Sequence, residues 1–247
     1  MGALDGFFGA VRYAGRTAGS IAADVASAAA RAGEVATGAV TGSTADPATL
    51  RLTVIILSDE QGVPLARPDE LTASIARADA ILTEQANIRV RHVATHIVTE
   101  KAPTAALDPR ANKLLLLDEA LGRTDFYHRQ LAAYPDSGSA TDIVGRPVTA
   151  FVVREIAGNT TGCSLGISAD WVVVQAALFK SGQRSTYDET VLAHEIGHAL
   201  NLPHHPASDN LMYFSSSPPD HLRGTHLAGW QRAIMNANRH VIPGVRA

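Results

Sequence analysis

The sequence predicts an α+β fold, an α/β sandwich-like arrangement of helices packed on a sheet, for residues 50–247. Residues 50–57 form an apolar and β-branched run, which predicts a strand buried on both faces. Apolar side chains recur every three to four residues across 69–85, which predicts a helix. Residues 88–98 alternate between apolar and polar side chains and predict a second strand.

The later part of the chain continues this mixture of strands and helices. The further predicted elements are a helix at 118–134, strands at 148–156 and 171–175 with a short Gly-flanked segment at 161–168 between them, and a final helix at 221–240. Thr186 and Glu189 have the spacing of a capping box, which predicts that a helix begins at Thr186. His92 and His96 are predicted to share one face of the second strand. Solvated or core side chains are favoured there over a metal pair, because no third ligand is close in sequence.

Composition excludes several classes of protein. Hydrophobic residues make up 46% of the 247, which is enough for a core. A net charge of −3 with 18% charged residues gives no electrostatic case for a nucleic-acid partner. No apolar run approaches the roughly 20 residues of a membrane-spanning helix, so no integral membrane segment is expected. The single cysteine, Cys163, excludes an intrachain disulfide and is expected to be structural.

Residues 1–49 are predicted to form an Ala/Gly-rich N-terminal extension and linker ahead of the domain at 50–247. The first ten residues contain Asp5 and no basic residue, unlike a Sec-type signal peptide. The protein is therefore expected to be cytoplasmic or to be exported by a non-Sec route. The frequent use of Ala, Arg and Gly predicts a GC-rich bacterium, or a virus of one, as the source.

The strongest chemical signal is the pattern His194-Glu195-x-x-His198. Two imidazoles four residues apart on a helix lie about 40° apart around its axis, so both can reach one ion. Neutral imidazole is a good ligand for Zn²⁺, and three protein ligands with one open position are typical of a catalytic site. The sequence therefore predicts a zinc site in which Glu195 lies beside the open position and takes a proton from the bound water.

His204 is the candidate third ligand, and it requires the helix to stop. Six further residues of helix would carry His204 about 240° around the axis, away from the metal. Asn201 is suited to a left-handed C-terminal residue, and Pro203 has no N–H and disfavours helix at the residue before it. These two residues predict a chain reversal that returns His204 to the metal. His205 is the alternative third ligand.

The stretch resembles the extended zinc motif H-E-x-x-H-x-x-G-x-x-H of the metzincin metallopeptidases, with Asn201 in the usual Gly position. Asn210-Leu211-Met212-Tyr213 resembles their Met-turn, and the interval from His204 to Met212 is closest to matrixin-like members. The resemblance implies a twisted mixed sheet with packed helices, and a zinc helix and Met-turn below an active-site cleft. The resemblance also implies that Met212 forms an apolar surface under the metal ligands.

The resemblance also implies where a substrate binds. In the family a short edge strand before the zinc helix pairs with extended substrate, and residues 161–168 occupy that place. Tyr213 occupies the place of a wall residue of the first primed-side pocket. The candidate substrate-binding residues are Tyr213, Gly162, Cys163, Ser164, Leu165 and Gly166.

The expected function is hydrolysis of peptide bonds in a protein or peptide substrate by a zinc-dependent endopeptidase. Zn²⁺ bound by His194, His198 and His204 activates water, and Glu195 is the general base. Two alternatives stay open: a zinc-binding interaction protein or effector that uses the cleft for docking without hydrolysis, and a hydrolase of a non-protein amide.

Overall fold

The computed structural model describes residues 46–109, 125–134, 145–156, 162–164 and 170–244. Six strands in this part of the chain form one sheet: Ala48–Ser58 (β1), Ile88–Lys101 (β2), Val148–Val153 (β3), Gly162–Ser164 (β4), Trp171–Gln175 (β5) and Val241–Ile242 (β6). The helices described are Thr72–Ala86 (α1), Thr104–Leu107 (α2), Asp125–Ala133 (α3), Ala176–Phe179 (α4), Val191–Ala199 (α5) and Gly229–Asn236 (α6), and a 3₁₀ turn at Pro68–Leu71 precedes α1.

The sheet is mixed, with the strand order β2-β1-β3-β5-β4. Strand β1 pairs in parallel with β2 and β3, and β3 pairs in parallel with β5. Short β4 runs antiparallel to β5, and β6 pairs antiparallel with the start of β1. Helix α1 supplies the crossover that the parallel β1–β2 pair requires. The predicted mixed sheet with packed helices is confirmed.

Helices pack on both faces of the sheet, and the side chains of β1 are apolar on both faces. Leu52, Val54 and Ile56 pack in the core that includes buried residues of α1 and α5. Ile55 and Leu57 pack on the opposite face, in a second core that includes residues of α3. The alternation of side chains along a strand sends neighbours to opposite faces, so a continuous apolar run fills both cores.

The prediction that His92 and His96 share a face of β2 is wrong. The register between β1 and β2 shifts by one residue at Val93, which is a β-bulge and breaks the alternation. His92 remains on the α1 face, where its ring contacts Thr95 Oγ1 at 2.9 Å. His96 turns to the other face and stacks on Tyr134, with ring centroids 4.3 Å apart.

The predicted start of the motif helix at Thr186 is also wrong, since α5 begins at Val191. The Thr186 hydroxyl donates to the carbonyl of Ala177 at 3.0 Å, and Glu189 forms an ion pair with Arg77. Neither member of the expected capping box is therefore available. The carboxylate of Asp188 replaces it by accepting the backbone N–H of Thr190 at 2.8 Å and its hydroxyl at 2.6 Å.

Other predicted boundaries also differ from the structure. The helix predicted at 118–134 is described over Asp125–Ala133, and 118–124 lie outside the described residues. The final helix is shorter than predicted and spans Gly229–Asn236. Residues 1–45 also lie outside the described part, so the extension at 1–49 stays a prediction. Among the described residues, no helix is long and apolar enough to cross a membrane.

Candidate metal centre

Three histidines converge at the end of helix α5. One ring nitrogen from each of His194, His198 and His204 lies within 4.8 Å of the other two. The Nε2 atoms of His198 and His204 are 3.1 Å apart, and the ring centroids of the three pairs are separated by 4.7 to 5.5 Å. His194 is buried, His198 is half-buried and His204 is exposed. The group therefore opens to solvent on the side of His204.

The chain reversal that returns His204 is built by the end of the helix. Asn201 has φ of 67°, the left-handed conformation predicted for it. Its N–H donates to the carbonyl of His198, and the N–H of Leu202 donates to the carbonyl of Gly197, both at 2.9 Å. These are the two hydrogen bonds of a Schellman motif. The helix thus ends at Ala199, one residue after His198.

Two of the imidazoles are oriented by backbone carbonyls. The Nδ1 of His194 lies 2.7 Å from the carbonyl oxygen of Leu211, and the Nδ1 of His198 lies 2.8 Å from that of Leu202. A carbonyl oxygen only accepts, so both Nδ1 atoms carry the proton and both Nε2 atoms keep their lone pair. This is the ring orientation that metal-binding histidines adopt in proteins. The three imidazoles fit a zinc ion of the catalytic type, which leaves one coordination position open.

Met212 packs against helix α5 at Gly197, between the first two histidines in sequence. It is fully buried, and its Sδ lies 2.5 Å from the position that a Cβ would take on Gly197. Asn210 fixes the turn, because its Oδ1 accepts the N–H of Met212 at 2.9 Å. The amide of Gln231 in α6 completes a buried reciprocal pair with Asn210, with contacts of 2.8 and 3.1 Å.

Gly197→Ala is expected to lower the free energy of unfolding by about 1–3 kcal/mol, the usual cost of overpacking a core. The added methyl group would overlap Met212 Sδ, so the Met-turn or the helix must shift. Chemical denaturation of the metal-free protein measures the change. Gly182→Ala is the matched control, since a Cβ there meets nothing within 4 Å. Equal stability of the two variants would contradict the proposed close packing.

Glu195 lies beside the histidines and is buried. Its Oε1 is 4.0 Å from the Nε2 of His194. Neither carboxylate oxygen has a hydrogen-bond partner among the described residues. Burial raises the pKa of Glu195 to about 8, partly opposed by the positive charge of Arg223 and reinforced by Asp188. A buried carboxyl group whose oxygens lack partners is suited to exchange protons with a ligand at the open position.

Burial is also the largest cause of the lowered pKa of each histidine. The pKa of His198 falls to about 4, and that of His194 falls well below its ordinary value. The pKa of His204 is also lowered by burial, with the positive charge of Arg223 as the second cause. All three rings are therefore neutral near pH 7, which is the form that binds a metal.

The metal-free protein is expected to be most stable near about pH 6.5. Below this pH the histidines bind protons in the unfolded chain but stay neutral in the folded protein, so the free energy of unfolding falls on acidification. His198 alone, with its pKa moved from 6.5 to about 4, contributes about 3 kcal/mol to this loss. Glu195 acts in the opposite direction: its raised pKa stabilises the fold below its ordinary pKa of 4.5, and this is lost as the pH rises to about 8.

Urea midpoints of the metal-free protein measured from pH 4 to pH 9 test this expectation. Glu195→Gln removes the decline above about pH 6.5 and leaves the acidic decline intact. A wild-type midpoint that rises steadily to pH 9 would contradict the assignment of the alkaline decline to Glu195.

The structure places the other predicted site residues as follows. His205 is outside the histidine group: its backbone N–H donates to the carbonyl of Met212, and its Nδ1 accepts the N–H of Ala207. Tyr213 is half-buried beside exposed Phe214. Strand β4, which contains Gly162, Cys163 and Ser164, is at the edge of the described sheet and contacts α5. Leu165 and Gly166 lie outside the described residues.

Sequence reasoning missed the buried polar groups that surround the histidines. Asp188 and Arg223 form an ion pair at 3.2 Å with both side chains fully buried. The Asp-x-Thr spacing of Asp188 and Thr190 ahead of the helix is a local signal for a capping carboxylate. Arg223 and Gln231 are distant in sequence from the residues they contact, and no local pattern marks them.

Comparison with known proteins gives a family match and remote structural likenesses. A model of Metallo-peptidase family M12 matches residues 68–246, and no curated protein matches the chain. Metalloproteinase-II from Bacteroides fragilis is 18% identical with a TM-score of 0.47, over 78% of this chain and 54% of that one, so this chain spans about half its length. Archaemetzincin from Methanopyrus kandleri is 17% identical with a TM-score of 0.45, over 76% and 93% of the two chains. A zinc-dependent peptidase from Methanocorpusculum labreanum is 14% identical with a TM-score of 0.42, over 75% and 99%.

The family match decides the classification. It spans well over half of the 247 residues and includes the three histidines, Glu195 and Met212. The predicted membership of a metallopeptidase family is thereby confirmed, whereas the matrixin-like character stays a prediction. The chain belongs to metallopeptidase family M12.

Proposed function

We propose that this metallopeptidase is a zinc-dependent endopeptidase in which His194, His198 and His204 hold the metal and Glu195 is the general base. Membership of the family implies a protein or peptide substrate. The observation that carries the proposal is the carboxyl group of Glu195, which is buried 4.0 Å from His194 Nε2 with neither oxygen hydrogen-bonded among the described residues. A structural zinc site has four protein ligands and needs no such base.

The residues have separate roles in this proposal. When bound, zinc supplies a Lewis acid for a peptide carbonyl and lowers the pKa of water towards about 7. The three imidazoles would hold the metal through their free ring nitrogens, and the carbonyls of Leu211 and Leu202 keep two of the rings in place. Glu195 Oε1 or Oε2 accepts the proton of the attacking water and returns it to the leaving amine.

Substrate is proposed to bind in extended conformation along strand β4. This strand pairs on one side with β5, and α5 lies beside it. An edge strand offers backbone N–H and C=O groups to a peptide, and residues 162–166 would contribute them. Tyr213 is proposed to form a wall of the pocket for the residue after the cleaved bond.

Cleavage of a peptide library by the purified chain tests the function. We expect internal cleavage that stops when a chelator removes the metal and resumes when Zn²⁺ is added. Mass spectrometry of the products distinguishes internal cleavage from trimming of the ends. Tight Zn²⁺ binding without cleavage of any peptide would overturn the endopeptidase proposal and favour a docking role.

A further inference from the structure

We infer that the buried ion pair between Asp188 and Arg223 positions the metal centre, because it closes a ring of contacts that fixes His194 relative to the Met-turn. This inference deepens the proposed function and rests on it. Arg223 Nη2 donates to Asp188 Oδ2 at 3.2 Å, and neither side chain is exposed to solvent. Since their side chains are buried, neither residue contacts substrate, and their effect must pass through other groups.

The first half of the ring runs through the start of helix α5. Asp188 Oδ1 accepts the backbone N–H and the hydroxyl of Thr190, the residue immediately before the helix. His194 follows one turn later, and its backbone N–H donates to the carbonyl of Thr190 at 2.9 Å. The carboxylate of Asp188 therefore holds the turn of the chain from which His194 projects.

The second half runs through the segment that contains Arg223. The N–H of Gly224 donates to the carbonyl of Ser208, and Gly224 lies so close to the backbone of Asp209 that a Cβ would overlap it. His226 then forms a two-way backbone contact: it donates to Asp209 and accepts from Leu211, at 3.0 and 2.9 Å. This segment thus pairs directly with the residues that lead into the Met-turn.

The two halves meet at His194. The carbonyl of Leu211, whose N–H is held by His226, accepts the Nδ1 proton of His194 at 2.7 Å. The closed ring of contacts therefore runs through Asp188, Thr190, His194, Leu211 and the segment that contains Arg223. The ion pair between Arg223 and Asp188 closes it. Groups that orient a metal ligand through its second nitrogen commonly affect affinity and ligand geometry.

A buried ion pair calls for such a role, because burial of two charges offsets most of their attraction. Loss of one partner leaves the other charge buried alone, whereas replacement of both by neutral groups is often tolerated. The pair is 35 residues apart in sequence and joins two segments that contribute different parts of the metal centre. The ion pair therefore fixes the position of one segment relative to the other.

The test uses Co²⁺ as the probe on the metal-free, full-length chain, with the dissociation constant from chelator competition and the ligand-field absorption spectrum as readouts. Asp188→Asn and Arg223→Gln are each expected to weaken Co²⁺ binding roughly 10- to 100-fold and to change the spectrum. The double variant is expected to bind no more weakly than the weaker single variant, because both single changes open the same ring.

Opposite effects would overturn the inference. If the pair acted only through its charges, removal of the Arg223 cation would tighten binding of a dication and removal of the Asp188 anion would weaken it. Unchanged affinity and spectrum in folded variants would also overturn it. Arg239→Gln is the matched control: Arg239 is buried and donates at 2.9 Å to Asp170, the residue before β5. This variant should change thermal stability but not the spectrum.

Arg223→Lys provides the test if Arg223→Gln does not fold. Lysine keeps the charge but lacks the planar fork of arginine, so we expect a smaller loss of affinity with the same direction of spectral change. A wild-type spectrum from Arg223→Lys would overturn the inference. Wild-type protein that binds no Co²⁺ or Zn²⁺ would refute the proposed function and this inference together, whereas variants that bind like the wild type would refute the inference alone.

Discussion

Glu195→Gln is expected to lower kcat/KM for peptide cleavage by about 10²–10⁴-fold while zinc remains bound. Glutamine has nearly the same shape as glutamate but cannot accept a proton from water. Glu195 is not needed to hold the three imidazoles, since carbonyls of Leu211 and Leu202 orient two of them. The chemical step should therefore fail although the metal centre is intact. Cleavage rates of one fluorogenic peptide, with zinc content measured by atomic absorption, give both quantities.

The matched control for this prediction is Glu189→Gln, which changes a half-exposed glutamate just before the same helix. Glu189 forms an ion pair with Arg77 across a partly exposed surface, and such pairs contribute little to stability. Its activity should stay close to that of the wild type. Substantial cleavage by Glu195→Gln with full zinc content would assign the proton transfer to another group.

The histidine group could be predicted from sequence because its geometry is local. Helical periodicity brings His194 and His198 to one side, and Asn201 ends the helix through a left-handed residue. Strands β1 and β5 could be predicted for the same reason, because their apolar runs indicate buried strands without reference to distant residues. These parts of the structure follow from patterns within about a dozen residues.

The errors arose where distant groups decide the local structure. Glu189 matched a capping box in sequence, but its carboxylate is bound by Arg77. The alternation of β2 breaks at Val93, where the pairing with the distant strand β1 shifts by one residue. Arg223 gave no signal at all, because its ion-pair partner Asp188 is 35 residues away in sequence. Contacts between segments far apart in sequence cannot be obtained from periodicity.

His204→Ala is expected to weaken zinc binding by more than about 100-fold, since loss of a group that merely orients a ligand already costs 10- to 100-fold. His205→Ala should leave the affinity within a few-fold of the wild type. The two histidines are adjacent, yet only the Nε2 of His204 lies near that of His198, at 3.1 Å. The ring of His205 lies beside Trp230, with centroids 6.4 Å apart.

Comparison of the His204 and His205 variants distinguishes a metal ligand from a neighbouring residue of the same type. Both replacements remove one imidazole from adjacent positions in the segment after helix α5, so the same side-chain atoms are lost in each. His204 is exposed, and its replacement leaves no cavity in the core, so an effect on zinc affinity cannot be attributed to unfolding. Competition with a chromophoric chelator measures both constants. If His205→Ala lost zinc and His204→Ala kept it, the reversal at Asn201 would serve to place His205 instead, and the open side of the metal centre would have to be reassigned.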